Sequence, residues 1–260
     1  MKPGLWSSLL LAVASSIACA QSPQVVDVPS RAGVTQRILV ITPDKPKAAV
    51  ILFAGGDGGI QIQPDGRITR SGNFLVRSRQ LFADQGLTTV VIDAPSDKQS
   101  YPHLSGTRQT ADHVADVKAV IAWLREQSKI PVWLIGTSRG TQSAAHVATQ
   151  LPPADGGADG IVLTSTILED RRSRAVPEMA LDRIRVPVLV VHHREDGCRA
   201  CRFSDIPLLM ARLTTPPRKE LIAFDGGISV GDPCEARAYH GYNGIEGDVV
   251  QRIAAWITTP

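Results

Sequence analysis

Eight short runs rich in Val, Ile and Leu recur along this chain, and segments with helically spaced apolar residues lie between most of them. The runs cover 24–28, 34–42, 48–53, 88–92, 131–135, 160–164, 186–191 and 219–224. The later ones are almost uninterrupted in apolar residues, as strands are when helices cover both faces of a parallel sheet. Helical patterns fill 73–85, 110–127, 141–150, 204–213 and 247–257, the clearest at 110–127 through Val114, Val117, Val120, Ile121 and Leu124. Alternation of this kind predicts an α/β architecture: an open, eight-stranded, mostly parallel sheet with helices on both faces. The first two runs, separated by Pro29-Ser30-Arg31-Ala32-Gly33, read as an opening hairpin.

The N-terminus has a different pattern. Lys2, an apolar stretch from Leu5 to about Ala14, and small residues at Ala18 and Ala20 make 1–20 a secretory signal peptide, cleaved after Ala20. The stretch falls short of the ~20 apolar residues that spanning a bilayer needs. Ser16 stands where a lipid anchor on Cys19 would want a leucine-like residue. The remainder, 21–260, is expected to form one domain, exported to the periplasm or secreted, with no membrane attachment in the mature form. The formal charge is only +3, and the basic residues are scattered, which argues against a nucleic-acid partner. Nothing in the sequence sets an oligomeric state. Once Cys19 leaves with the signal, Cys198, Cys201 and Cys234 remain, and an oxidising compartment joins two of them.

Chemistry enters at Gly136-Thr137-Ser138-Arg139-Gly140, which follows a predicted strand and precedes a predicted helix. A strand, then G-x-S-x-G, then a helix describes a nucleophile elbow, a tight turn that lifts the central side chain above the end of the sheet. Ser138 is the candidate nucleophile. Ligands in such sheets sit beyond the carboxyl ends of the strands, so its helpers should follow other strands. After 48–53 comes Ala54-Gly55-Gly56-Asp57-Gly58-Gly59, whose backbone N–H groups can face a developing oxyanion without obstruction. The N–H of Gly56, or of a glycine beside it, pairs there with the N–H of Arg139. After 186–191 comes His192-His193-Arg194-Glu195-Asp196-Gly197, where Asp196, followed by a glycine, is the better placed acid. After 219–224 the one histidine is His240, in the order Ser, acid, His; His103, His113 and His146 come too early.

Taken together, these segments resemble the α/β-hydrolase family: the elbow, the turn Phe53-Ala54-Gly55-Gly56, the acid segment ending in Asp196, and His240. The resemblance spans nearly all of 21–260. Many members carry His-Gly at the oxyanion turn, where Ala54-Gly55 stands here. What it implies is acyl transfer to water through Ser138, Asp196 and His240, acting on a small-molecule acyl substrate with no metal or organic cofactor. The fold hosts esterases, thioesterases and peptidases alike. The stretch 165–184, where relatives insert a cap, is short and charged, so no large cap is expected and short or soluble esters are favoured over long-chain lipids. Asp57, Tyr239 and Tyr242 are candidate wall residues of the pocket.

The cysteines bracket the same machinery. A bridge from Cys234 to Cys198 or to Cys201 would tie the acid loop to the histidine loop and preorganise the triad. A reading of another class uses His192, His193 and the three cysteines as zinc ligands, in an exported scaffold without catalysis.

Overall fold

A computed structural model describes residues 22–259 of the chain; the expected signal peptide lies outside them. All eight expected strands form, and they make one sheet in the order β1-β2-β4-β3-β5-β6-β7-β8. β1 (Gln24–Arg31) and β2 (Val34–Ile41) are the opening hairpin, closed by Gly33 at φ +70 and irregular between Pro29 and Arg31. β2 runs antiparallel to β4 (Leu87–Ile92). β3 (Ala48–Phe53), β4, β5 (Val132–Thr137), β6 (Gly160–Thr164), β7 (Val188–His193) and β8 (Lys219–Phe224) are mutually parallel.

The period-2 pleat of β3 divides the core. Ala49, Ile51 and Phe53 face α3 (Ala111–Gln127), α4 (Gly140–Gln150) and α5 (Ile206–Arg212). Ala48, Val50 and Leu52 face α1 (Phe74–Arg77), α2 (Arg79–Asp84) and α6 (Glu246–Thr258). Both faces are therefore covered, which is why these strands read as unbroken apolar runs. Each fully buried aliphatic side chain is worth ~1.5–3 kcal/mol relative to exposure, and the six residues of β3 are all buried.

The structure departs from the sequence reading at the ends and the continuity of some elements, and agrees with it on the cap. The helix expected over 73–85 breaks at Ser78, whose backbone (φ −92, ψ 3) leaves helical geometry between α1 and α2. β5 and β7 run two residues beyond their apolar stretches, because ladder pairing continues through Gly136-Thr137 and His192-His193. The segment after β6 holds only two 3₁₀ turns, Val176–Glu178 and Leu181–Arg183, so it forms no large cap.

The strand order decides where chemistry can occur. β3 and β5 are neighbours in the middle of the sheet, with Phe53 opposite Gly136. The glycine turn after β3 and the elbow after β5 therefore leave the sheet side by side.

Candidate active site

The elbow forms as the sequence predicts, and its glycines explain why. Ser138 has φ +52, a left-handed conformation that costs a non-glycine residue of order 1–3 kcal/mol. Its N–H donates to the Thr164 carbonyl (3.1 Å), while its carbonyl accepts from the N–H (2.9 Å) and Oγ1 (2.6 Å) of Thr141. A Cβ on Gly136 would strike the Gly140 carbonyl, and one on Gly140 would strike the Phe53 carbonyl. The elbow is thus pressed against the end of β3.

The turn after β3 completes this contact. A Cβ on Gly55 would lie 3.0 Å from the Ser138 Cβ, whereas Gly56 has open space and φ +60. Gly55 supplies room and Gly56 supplies conformation. The N–H groups of Gly56 and Arg139 find no protein acceptor among the described residues, and Arg139 sits at the N-terminal end of α4, where the helix dipole favours negative charge. Asn73, which the sequence reading passed over, enters here: its Oδ1 accepts from the Leu75 N–H (3.2 Å), leaving its Nδ2 against Gly55.

The acid and the base meet from distant loops. His240 Nδ1–H donates to Asp196 Oδ2 (2.9 Å), and both side chains are buried. Asp196 Oδ1 accepts from the Cys198 N–H (2.9 Å). The Nε2 of His240 has no hydrogen-bond partner among the described residues, and both His240 and Ser138 line one open cleft of about 940 Å³, with no hydrogen bond joining them in this structure. The loop carrying His240 is fastened to the sheet. Ser165, at the end of β6, donates through Oγ to the His240 carbonyl (2.7 Å). The Tyr242 hydroxyl donates to the Val191 carbonyl (2.8 Å) and accepts from the Ser165 N–H (3.1 Å).

Two pocket residues expected from the sequence are corrected by this geometry. Tyr242 is wholly buried and committed to those two bonds, and burial pushes its phenol far above the usual range. Tyr239 does not line the cleft but stacks on His193, ring centroids 4.4 Å apart. Asp57 does line the cleft, bound to Arg70 (2.7 Å) and to the Gly59 N–H (3.1 Å). Burial opposes its ionisation, but those two bonds hold its carboxyl below the usual range.

The bridge joins Cys198 to Cys234, one of the two expected pairings, and so couples the acid loop to the loop before His240. Cys201 is free and buried, and burial drives its thiol well up. The ligand set imagined for zinc does not assemble. Two of its cysteines are oxidised, His192 Nε2–H donates to the Cys201 carbonyl (2.6 Å), and His193 Nε2–H donates to the Gly226 carbonyl (2.8 Å). Burial lowers the His192 imidazole, keeping it a neutral neighbour, 3.6 Å from Asp196.

One acid in the wall was not foreseen. Asp170 accepts from Arg139 (2.8 Å), Gln142 (2.9 Å), Ser173 (2.7 Å) and the Arg172 N–H (3.0 Å). Burial alone would raise its carboxyl, yet these donors, Arg139 foremost, hold it far below the usual range. The Arg139 guanidinium is thereby committed to Asp170.

No protein-family model matches the chain, and no curated protein sequence matches it. Solved structures do. A dienelactone hydrolase from Anabaena variabilis aligns over 91% of this chain and 98% of its own, at 14% identity and a TM-score of 0.61. An esterase from Pyrococcus furiosus aligns over 91% and 90%, at 12% identity and a TM-score of 0.65. An alpha-beta serine hydrolase homologue from Coxiella burnetii aligns over 92% and 99%, at 16% identity and 0.60. With the eight-stranded sheet, these likenesses give the chain the α/β-hydrolase fold.

Proposed function

We propose that the protein is an exported serine hydrolase, a single domain over 21–260, which cleaves a carboxylic ester or a related acyl bond. The observation that carries this reading is the buried His240–Asp196 pair at 2.9 Å, opening on the same cleft as the strained Ser138. Ser138 Oγ attacks the acyl carbon while its proton passes to His240 Nε2. The carbonyl electron pair moves onto oxygen, where the N–H groups of Gly56 and Arg139 stabilise it. Collapse breaks the bond to the leaving group, which takes the proton from His240; water then repeats the sequence on the acyl-enzyme and restores Ser138. Asp196 holds the imidazole by Nδ1–H and stabilises the imidazolium. Thioesters and peptides use the same groups and differ in leaving-group handling.

The cleft's charge supports small, polar, anionic substrates. Arg172, Arg199 and Arg202 line it without an ion-pair partner among the described residues, against one unpaired acid, Glu235. Arg139 and Arg70 are already matched by Asp170 and Asp57.

Fluorophosphonate labelling with peptide mapping tests the assignment. The adduct is expected on Ser138 and is expected to vanish in Ser138→Ala, which also loses turnover by ~10⁴-fold or more. A panel of short esters at low and high salt then reads the substrate charge, with carboxylate-bearing esters favoured only at low ionic strength. Unlabelled folded protein, or full activity in Ser138→Ala, would overturn the enzyme reading; indifference to ester charge would overturn the substrate class.

A further inference from the structure

Behind the oxyanion turn lies a buried cation that the mechanism above does not use. Arg108 belongs to the loop between β4 and α3 and is 5% exposed. Its Nη2 donates to the Ala54 carbonyl (2.9 Å) and to the Gly56 carbonyl (3.3 Å), and its Nη1 donates to Ser143 Oγ on α4 (2.9 Å). Nε has no partner among the described residues. No carboxylate reaches it: Asp57 acts on it only from a distance and is bound to Arg70, while Arg139 repels it. Gly58 makes room for it, since a Cβ there would fall on Nη2 and on Leu104 Cδ1.

Burying a guanidinium without an anion is costly, and an apolar side chain of similar length would fill the same space more cheaply. Burial lowers Arg108 to about 10, so it remains charged at neutral pH. Its bonds fall in an informative place. The Ala54 carbonyl belongs to the peptide before Gly55 and the Gly56 carbonyl to the peptide before Asp57. The two peptide planes flanking the Gly55–Gly56 peptide, whose N–H is the proposed oxyanion donor, are both held by one rigid fork. A turn containing Gly55 and Gly56 has little conformational preference of its own.

We propose that Arg108 is the positioning residue of the oxyanion turn: it fixes the planes on either side of the Gly56 N–H, and its unmatched charge gains a counter-ion only when the tetrahedral oxyanion forms. This rests on Ser138 being the nucleophile. An interaction absent from the ground state and present in the transition state raises kcat rather than lowering KM. The guanidinium's geometry matters as well as its charge, because one fork serves three acceptors on two elements.

The test compares wild type, Arg108→Lys and Arg108→Met in hydrolysis of p-nitrophenyl acetate, with active sites counted by exhaustive fluorophosphonate labelling. Binding of phenylboronic acid, which becomes a tetrahedral anion on the serine, is measured alongside. Per active site, Arg108→Met is expected to lose about 10²-fold in kcat, comparable with deleting an oxyanion donor, with KM changed less than about threefold. Its boronate affinity falls in parallel, and Arg108→Lys, which keeps charge without the fork, recovers part of both. A purely structural Arg108 would lower the number of labelled sites and the melting temperature while leaving kcat per site and boronate affinity intact, which would overturn the proposal. Should Arg108→Met not fold, Arg108→Lys alone decides, wild-type kcat and boronate affinity being the overturning result. Failure of the underlying reading is distinguishable, because wild type would then go unlabelled at Ser138, and the proposal would fall with it.

Discussion

At the scale of single residues, the site depends on one short bond. In the proposed mechanism His240 must present an unprotonated Nε2 to Ser138, and only an acceptor at Nδ1 fixes that tautomer. Asp196 is this acceptor, itself held by the Cys198 N–H on its other oxygen. Asp196→Asn keeps the size of the side chain, but its amide can present a donor to the ring and favour the wrong tautomer. It is expected to lower kcat by ~10³–10⁴-fold, by analogy with other triads, with the thermal midpoint nearly unchanged; steady-state kinetics beside a circular-dichroism melt check this. The proposed trio Ser138, Asp196 and His240 could be nominated from the sequence because each follows a strand in the expected order, and the structure brings Asp196 to His240 and puts His240 and Ser138 on one cleft. Arg108 could not be nominated so, since its bonds reach the Ala54 and Gly56 carbonyls, 54 and 52 residues earlier, which no local pattern connects to it. Tyr242 was misread for a related reason: an aromatic two residues from a candidate catalytic histidine looks like pocket lining, and only the Val191 and Ser165 bonds reveal it as a fastening.

At the scale of elements, the loops that carry the proposed acid and histidine are long and hold little regular structure of their own. The segment between β8 and α6 carries one 3₁₀ turn, Tyr239–Gly241, and its order comes from Ser165, Tyr242 and the Cys198–Cys234 bridge. The bridge closes a sequence separation of 36 residues, for which loop-closure entropy predicts about 4 kcal/mol. Cys234→Ser is therefore expected to lower stability by a few kcal/mol in urea titration and to reduce kcat more than it raises KM, because the acid and histidine loops lose their common anchor. Cys201→Ala, which leaves the bridge intact, serves as the control. The sequence confined the bridge to two pairings and went no further, since Cys198 and Cys201 stand three residues apart on one loop. The strands were legible to within two or three residues at their ends, because burial on both faces forces unbroken apolar runs. Their order in the sheet was not, because each crossover helix permits the next strand to lie on either side.

At the scale of the whole molecule, the same burial that shapes the site makes the fold sensitive to acid. His113 on α3 packs edge-on to Phe53 and has neither ring nitrogen hydrogen-bonded among the described residues. Burial above all, together with the charges of Arg108 and, when protonated, His146, lowers it to about 3. His146 and His192 are lowered too, again chiefly by burial. In an unfolded chain each would titrate near ~6.5. The unfolded state thus binds more protons than the native one below that value, so stability falls as pH falls. The contribution of His113 is complete above about pH 6.5 and is lost progressively as pH drops toward 3. Asp170 acts in a lower window: its depressed carboxyl contributes fully above the ordinary aspartate value and loses that contribution only as pH falls further. Urea midpoints measured from pH 7.5 to 4.5 should accordingly decline, with the histidines acting at higher pH than the carboxylates. His113→Leu should flatten that decline by up to ~1.4 kcal/mol per pH unit, the equivalent of one proton, while leaving the slope below pH 4 in place. An unchanged slope between pH 6.5 and 4.5 in His113→Leu would mean that the ring takes up a proton in the folded protein, and that the core around Phe53 and Arg108 opens to water to admit it.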